Sequence, residues 1–350
     1  MANIMLNETC NLRCPYCFAN EFVGNGHHGE MDEASFCKAL DFILGDGSES
    51  GLGVIGGEPL LHSHFDEYMR RIILDRRVKK IMLYTNGTLL EGHWDVCCHA
   101  KTHHLVNCNS PEDIGQDNFE RLCDNLRVLL DDKMCADRVT LGVNMYKPVT
   151  DYSYIIDLLR KHSLNRLRVS ISVPNFDDFR NTDAHDYFTS MKISVLTLFR
   201  QLFEMSVIPN YDCNKLPPCM LSEEDKASLC AGLDKGFIAE IEKKSNIFNR
   251  FVQCRSVIDI RPDLTAVRCF GLSLWTKCKI ADFKSISDLR NYYFRRIDAH
   301  AHNTAYSGKC SSCYERNVGA CNGGCLAFKI KSILELGAQA DALLPPPRKI

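Results

Sequence analysis

Six short runs of apolar, β-branched residues recur along the amino-terminal part of the chain, and they limit its fold more than any other feature. They lie near Asn3–Leu6, Leu52–Ile55, Lys80–Tyr84, His104–Asn107, Val139–Met145 and Leu167–Val173. Between them, Asp32–Leu44, Phe65–Leu74, Phe119–Leu130, Tyr152–Lys161 and Ala184–Met205 carry apolar residues at helical spacing. A strand pattern that alternates with longer helical patterns reads as repeated β–α units around a parallel sheet. Six such units predict an α/β fold, an open partial (β/α)6 barrel. In parallel barrels the chemistry gathers at the carboxyl ends of the strands. After Met205 the alternation stops, and ten of the 19 cysteines lie beyond it. The sequence therefore divides into a barrel at 1–206, a small cysteine-rich module at 207–335 and an exposed tail at 336–350.

A chain of 350 residues with 45% hydrophobic content has enough apolar material for a sizeable core in one large domain or two. Its net charge of −2 gives no basic footprint, which disfavours nucleic acid as a partner. No opening stretch reads as a signal peptide, and no apolar run approaches the roughly 18 residues of a membrane span. The expected location is the cytoplasm, with no membrane partner. Disulfides are rare there, so this much cysteine points to metal binding.

Cys10, Cys14 and Cys17 stand in Cys-x3-Cys-x2-Cys spacing. Three thiolates can hold three irons of a [4Fe–4S] cluster and leave the fourth iron open, whereas an electron-transfer cluster normally uses a fourth cysteine. The spacing resembles the signature of radical S-adenosylmethionine (SAM) enzymes, and Tyr16 fills the aromatic position before the third cysteine. Gly56-Gly57-Glu58-Pro59 resembles the family's GGE motif, which holds the methionine amino group of the cofactor. Thr85-Asn86-Gly87 resembles the motif that ends the third strand. All three follow expected strands, in the family's order.

Polar residues at strand ends are further candidates for cofactor contact: Asn107 and Asn109, Asn144, and Ser170 with Ser172. The resemblance implies that such positions serve the ribose and carboxylate of SAM, and that Val173-Pro174 contacts adenine. Each has a plainer reading, as a turn residue, a core valine or a strand terminator. His62-x-His64 suits a helix entry better than a metal pair. Arg70-Arg71 and Arg76-Arg77 read as a solvated helix end.

Downstream, Cys310-x2-Cys313-x7-Cys321-x3-Cys325 encloses Gly323-Gly324, small residues that let backbone approach a cluster. This run resembles the SPASM extension of radical SAM enzymes, although that family has five residues, not seven, before the third cysteine. Cys254 and Cys269 bracket a strand-like Val257–Ile260, a Pro262-Asp263 turn and Val267, and so would approach across a hairpin. Cys213 and Cys219 flank Pro217-Pro218. The resemblance implies a barrel-proximal cluster on Cys254, Cys269 and Cys325 and a distal one on Cys310, Cys313 and Cys321, with Cys213 and Cys219 available to complete them. One or two auxiliary [4Fe–4S] clusters are expected. Paired cysteines can also form structural four-thiolate zinc sites, which is the rival reading.

The implied activity is reductive cleavage of SAM to a 5′-deoxyadenosyl radical that abstracts hydrogen from a substrate, fed by an external electron donor such as flavodoxin or ferredoxin. SPASM-type enzymes act mostly on peptides, so a ribosomally made peptide or a protein side chain is the expected substrate. The cluster loop begins so early that no separate leader-binding domain is expected ahead of it. Asp212, Asp177 and Tyr146 are candidates for a later deprotonation. The alternatives are a radical enzyme for a small molecule such as a sugar or amino acid, a formylglycine-forming sulfatase-maturase type, and a non-enzymatic metal-binding or sensing protein.

Overall fold

A computed structural model describes residues 1–17, 19, 23, 29–149, 151–172, 183–212, 215–248, 254, 257–270, 276–299, 308–321 and 325–326. Val173, Asp177, Cys213, Gly323-Gly324 and the expected tail at 336–350 lie outside the described residues. The chain forms two compact units: Met1–Thr140 with Ser256–Asp298, and Leu141–Arg255 with Ala299–Ala340. These units follow packing, whereas the expected change at residue 206 is one of composition.

In the first unit the strands are β1 (Ala2–Met5), β2 (Gly51–Ile55), β3 (Lys80–Thr85) and β4 (Thr102–Asn107). They pair in parallel in sequence order, with Ala2 opposite Leu52, Leu52 opposite Ile81 and Ile81 opposite Thr102. Ile4, Leu52, Val54, Ile81, Leu83 and Val106 are fully buried, as expected of strands covered on both faces. Helix α1 (Glu33–Leu44) begins where Asp32 accepts from the Ser35 amide, a side-chain N-cap. Phe36 of α1 stacks on Tyr68 of α2 (Phe65–Leu74) with ring centroids 4.2 Å apart, so the apolar stripes of the two helices meet. Helix α3 (Gln116–Arg127) starts ahead of the expected Phe119 and ends in a π-turn over Val128–Asp132.

The expected hairpin is present as β8 (Ile258–Ile260) and β9 (Thr265–Val267), antiparallel, with β10 (Cys278–Lys279) beyond β9. Its position was not legible in the sequence: β8 lies beside β1 and parallel to it, with Asn3 opposite Asp259. A buried polar pair marks that register, the Asn3 amide donating to Asp259 at 2.6 Å. Burial pushes the Asp259 carboxyl up to about 7, against the lowering influence of the Asn3 bond.

The second unit holds β5 (Val139–Met145) from Leu141 onward, β6 (Arg166–Ile171) and β7 (Ile208–Tyr211), again in parallel order. Helices α4 (Ser153–Lys161) and α5 (Ala184–Glu204) stand where the helical spacing placed them, and Ile155, Leu159, Leu198 and Leu202 are fully buried. Strand β7 corrects the expectation that alternation stops after Met205. Pro209 hides it in the sequence, because proline cannot donate to a ladder and is tolerated only at an edge. Asn246 covers that edge, its side chain accepting from the Tyr211 amide at 2.7 Å and donating to the Tyr211 carbonyl at 2.5 Å. No described helix is long and apolar enough to cross a membrane.

Candidate active site

Beyond β1 the chain continues along the loop after β2. Leu6 donates to the Ile55 carbonyl at 2.8 Å, Gly57 to Asn7 at 3.0 Å and Glu58 to Thr9 at 2.8 Å. The cysteine loop therefore starts laced to Gly56–Pro59. Within it, the Cys17 amide donates to the Cys14 carbonyl at 3.1 Å, and Arg13 reaches back to the Cys10 carbonyl at 2.9 Å. The three thiols lie within electrostatic reach of one another. Burial pushes Cys10 up to about 11 and Cys14 up to about 12, and raises Cys17 as well. Free thiols here keep their protons at neutral pH, so binding metal must release them.

Gly57 makes the lacing possible. A Cβ on it would stand 2.3 Å from the Thr9 carbonyl oxygen and 3.0 Å from Cys10 Cβ. Glu58 turns inward and is fully buried. It accepts from the Thr85 hydroxyl at 2.8 Å and from the Asn86 amide at 2.7 Å, joining the turn after β2 to the end of β3. Burial outweighs these bonds and pushes its carboxyl up to about 7. Gly87 follows with φ +78°, a left-handed turn that glycine accepts without strain, and Asn125 of α3 donates to its carbonyl at 2.9 Å. The two motifs named in the sequence are thus one hydrogen-bonded body.

Two asparagines face the cysteine sulfurs. Asn86 donates to Asn11 at 2.9 Å and comes within 4.0 Å of Cys10 Sγ. Asn109, just after β4, donates to Cys14 Sγ at 3.5 Å, and the Tyr16 hydroxyl donates to its side-chain oxygen. Asn107 ends β4, half-buried. Beneath the loop, Met5, Ala19, Val23 and Phe270 form an apolar floor against which Cys10 and Cys17 pack. Phe270 adjoins Cys269, so the hairpin beside β1 brings that cysteine's neighbour under the loop.

The donor set fits an iron–sulfur cluster. Among the described residues, Asp183, His185 and Asp186 are the only trio of histidine, cysteine or carboxylate ligand atoms lying within 4.8 Å of one another. No three described cysteine sulfurs are that close. Three thiols from one short loop, with side-chain amides directed at two of them, are the kind of donor set an iron–sulfur cluster takes.

In the second unit Asn144 accepts from Arg168 at 2.6 Å, and Arg168 also pairs with Asp212 at 3.0 Å. Arg168, which sequence reasoning missed, therefore joins two residues expected to have separate roles. Its only sequence signal is a charged residue inside an apolar strand. Ser172 donates to the Met145 carbonyl at 2.8 Å, and its own carbonyl accepts from Tyr187. Tyr146 is half-buried, with the Lys147 ammonium 5.2 Å from its ring centre.

Of the later cysteines, Cys219 keeps solvent access as a residue. Its thiol is nonetheless pushed up to about 11, first by desolvation and then by the Cys313, Cys321 and Cys310 thiols around it. Cys219 thus lies within electrostatic reach of three cysteines from a distant stretch. Lys215, itself buried, lies close enough to Cys321 for each charge to act on the other. Cys269 falls in the first unit, and Cys254 and Cys325 in the second; all three are half-buried.

Comparison with known proteins bears on the same residues. Residues 4–151 match the model of the Radical SAM superfamily. The structure of SuiB from Streptococcus suis bound to S-adenosylmethionine superposes with a TM-score of 0.61 at 13% identity, over 98% of this chain and 76% of that one. SuiB bound to its precursor peptide SuiA gives 0.59 at 14% identity, over 94% and 72%. Among curated relatives, GTP 3′,8-cyclase from Synechocystis sp. is 35% identical over 97 residues, 26% of this chain and 28% of the relative. The probable GTP 3′,8-cyclase from Methanocaldococcus jannaschii is 35% identical over 92 residues, 25% and 29%. The chain spans little more than a quarter of the length of these curated relatives. The matched residues 4–151 take in the cysteine loop, the Gly56–Pro59 turn and the end of β3, and the family of that match uses a [4Fe–4S] cluster and S-adenosylmethionine as cofactors.

Proposed function

We propose that the chain is a radical SAM enzyme that modifies a side chain of a ribosomally made peptide. When bound, the cofactors supply one-electron chemistry strong enough to take hydrogen from an unactivated carbon. Cys10, Cys14 and Cys17 hold three irons and leave one open. Gly56 and Gly57 let their turn lie close against Asn7, Thr9 and Cys10, and Glu58 braces that turn against Thr85 and Asn86. The floor of Met5, Ala19, Val23 and Phe270 excludes water from the cysteine side. Asn107, Asn144, Ser172 and Val173 remain our candidates for holding the nucleoside part of the cofactor. Asp212, Asp177 and Tyr146 remain candidates for a later deprotonation.

The observation that carries the peptide reading is extent: the likeness to SuiB runs through the cysteine-rich region, whereas the cyclase relatives match only about a quarter of the chain. The grouping of Cys219 with Cys310, Cys313 and Cys321 supports one auxiliary cluster there. Cys254, Cys269 and Cys325 are the candidates for a second. Functionally we divide the chain into a barrel at 1–206 and an auxiliary-cluster module at 207–335. An external one-electron donor of the flavodoxin or ferredoxin type and a cytoplasmic setting belong to the same reading. A small-molecule substrate is the second reading, favoured by the cyclase relatives.

Deuterium transfer into 5′-deoxyadenosine separates the two, using anaerobically reconstituted enzyme with deuterated precursor-type peptides or deuterated GTP. Label arriving from peptide supports the first reading, and label from GTP moves the assignment to the second. Cys17→Ala is expected to lower 5′-deoxyadenosine release at least a hundredfold, measured by chromatography after dithionite reduction. Undiminished release would remove Cys17 from the ligand set.

A further inference from the structure

Asn109 is 3% exposed, and its side-chain amide is engaged at both ends. The oxygen end accepts from the Tyr16 hydroxyl, and the nitrogen end donates to Cys14 Sγ at 3.5 Å. The Tyr16 hydroxyl also lies within hydrogen-bonding reach of Cys14. In this arrangement the Tyr16 hydroxyl occupies the oxygen end of the amide, and the nitrogen end is the one turned toward sulfur. The second asparagine, Asn86, approaches Cys10 Sγ only to 4.0 Å and spends its nearer bond on Asn11. The two sulfurs therefore receive unequal support.

We propose that Asn109, aligned by Tyr16, is a positioning residue that raises the reduction potential of the cluster held by Cys10, Cys14 and Cys17. The proposal rests on the reading of those cysteines as cluster ligands. Adding an electron puts negative charge on the iron and its sulfurs, and an N–H aimed at a ligand sulfur stabilises the reduced form more than the oxidised one. Asn109 is buried, so its dipole is screened less by water than a surface amide would be. Tyr16 touches no iron in this scheme, and its hydroxyl favours the orientation in which the amide nitrogen faces Cys14. The same three-residue knot fastens the cysteine loop to the end of β4. The loop's docking and the cluster's potential thus depend on one side chain.

The test is a reductive titration of the full chain, reconstituted anaerobically, with dithionite and redox mediators and electron paramagnetic resonance as the readout. The signal missing from a variant with Cys10→Ala, Cys14→Ala and Cys17→Ala identifies the cluster in question. At the wild-type midpoint, Asn109→Leu is expected to show a ratio of reduced to oxidised cluster about tenfold lower, which is about 59 mV for one electron. Tyr16→Phe should move the midpoint the same way by less, because the amide stays but is free to turn. A midpoint unchanged in both variants at full iron content overturns the proposal, and so does a change confined to iron content or thermal stability. If Asn109→Leu takes up less iron, Tyr16→Phe decides alone. If the triple cysteine variant keeps every signal, the ligand reading itself fails and this proposal falls with it, an outcome distinct from an unmoved midpoint.

Discussion

At Gly57 a single methyl group would be enough to part the two halves of the site, since its Cβ would press on the Thr9 carbonyl and on Cys10. Gly57→Ala is expected to cost about 1–3 kcal/mol through overpacking, read as a lower thermal midpoint, and to reduce iron bound by the first cysteine loop. Unchanged iron and midpoint would show that the loop can move aside. The resemblance marked this glycine as part of a motif, but its close approach to Thr9 became visible only in the structure. Nor was the inward turn of Glu58 legible in the sequence. The resemblance named it for the cofactor, and the structure adds that its carboxylate accepts from Thr85 and Asn86, an arrangement made by tertiary packing between residues far apart in the chain. The resemblance named Tyr16 by position, but its partner Asn109 became visible only when the end of β4 was seen beside the loop.

Among the elements, β8 carries the most unusual choice, an acidic residue in an otherwise apolar strand placed opposite Asn3. Burial pushes Asp259 up to about 7 from an ordinary 3.8, so the folded chain holds that proton more tightly than the unfolded one. Its stabilising contribution is complete below pH about 4 and is lost as pH rises through 7. Between those limits the loss is on the order of 4 kcal/mol. Asp259→Asn keeps an oxygen to accept from Asn3 and has no proton to lose. Urea unfolding across pH 4 to 8 should show the variant with a flatter profile than wild type and the greater relative gain at pH 8. Identical slopes would remove Asp259 as the cause. The repeating β–α units and the hairpin were readable because period and turn chemistry are local. The pairing of β8 with β1, and β7 with its proline, were not, because neighbours in a sheet need not be neighbours in sequence.

For the molecule as a whole, metal content is the quantity that sequence spacing could not fix. Cysteine spacing left Cys219 able to join either cluster, while the structure groups its thiol with Cys310, Cys313 and Cys321. In a background with Cys10, Cys14 and Cys17 changed to alanine, about eight irons per chain would mean two auxiliary clusters and about four would mean one. Adding Cys219→Ala to that background is expected to remove about four irons, by iron and acid-labile sulfide analysis. Zinc in their place would make these cysteines a structural site instead. The position of β1 between β2 and β8 also has a temporal side. One of the two flanking partners of β1 is made about 250 residues after it, a wait on the order of tens of seconds at ordinary synthesis rates. Until then that edge of β1 is bare, and Phe270 is missing from the floor beneath the cysteines. A cysteine loop with its floor complete therefore has to wait for the hairpin, and the bare edge of β1 needs cover until β8 arrives.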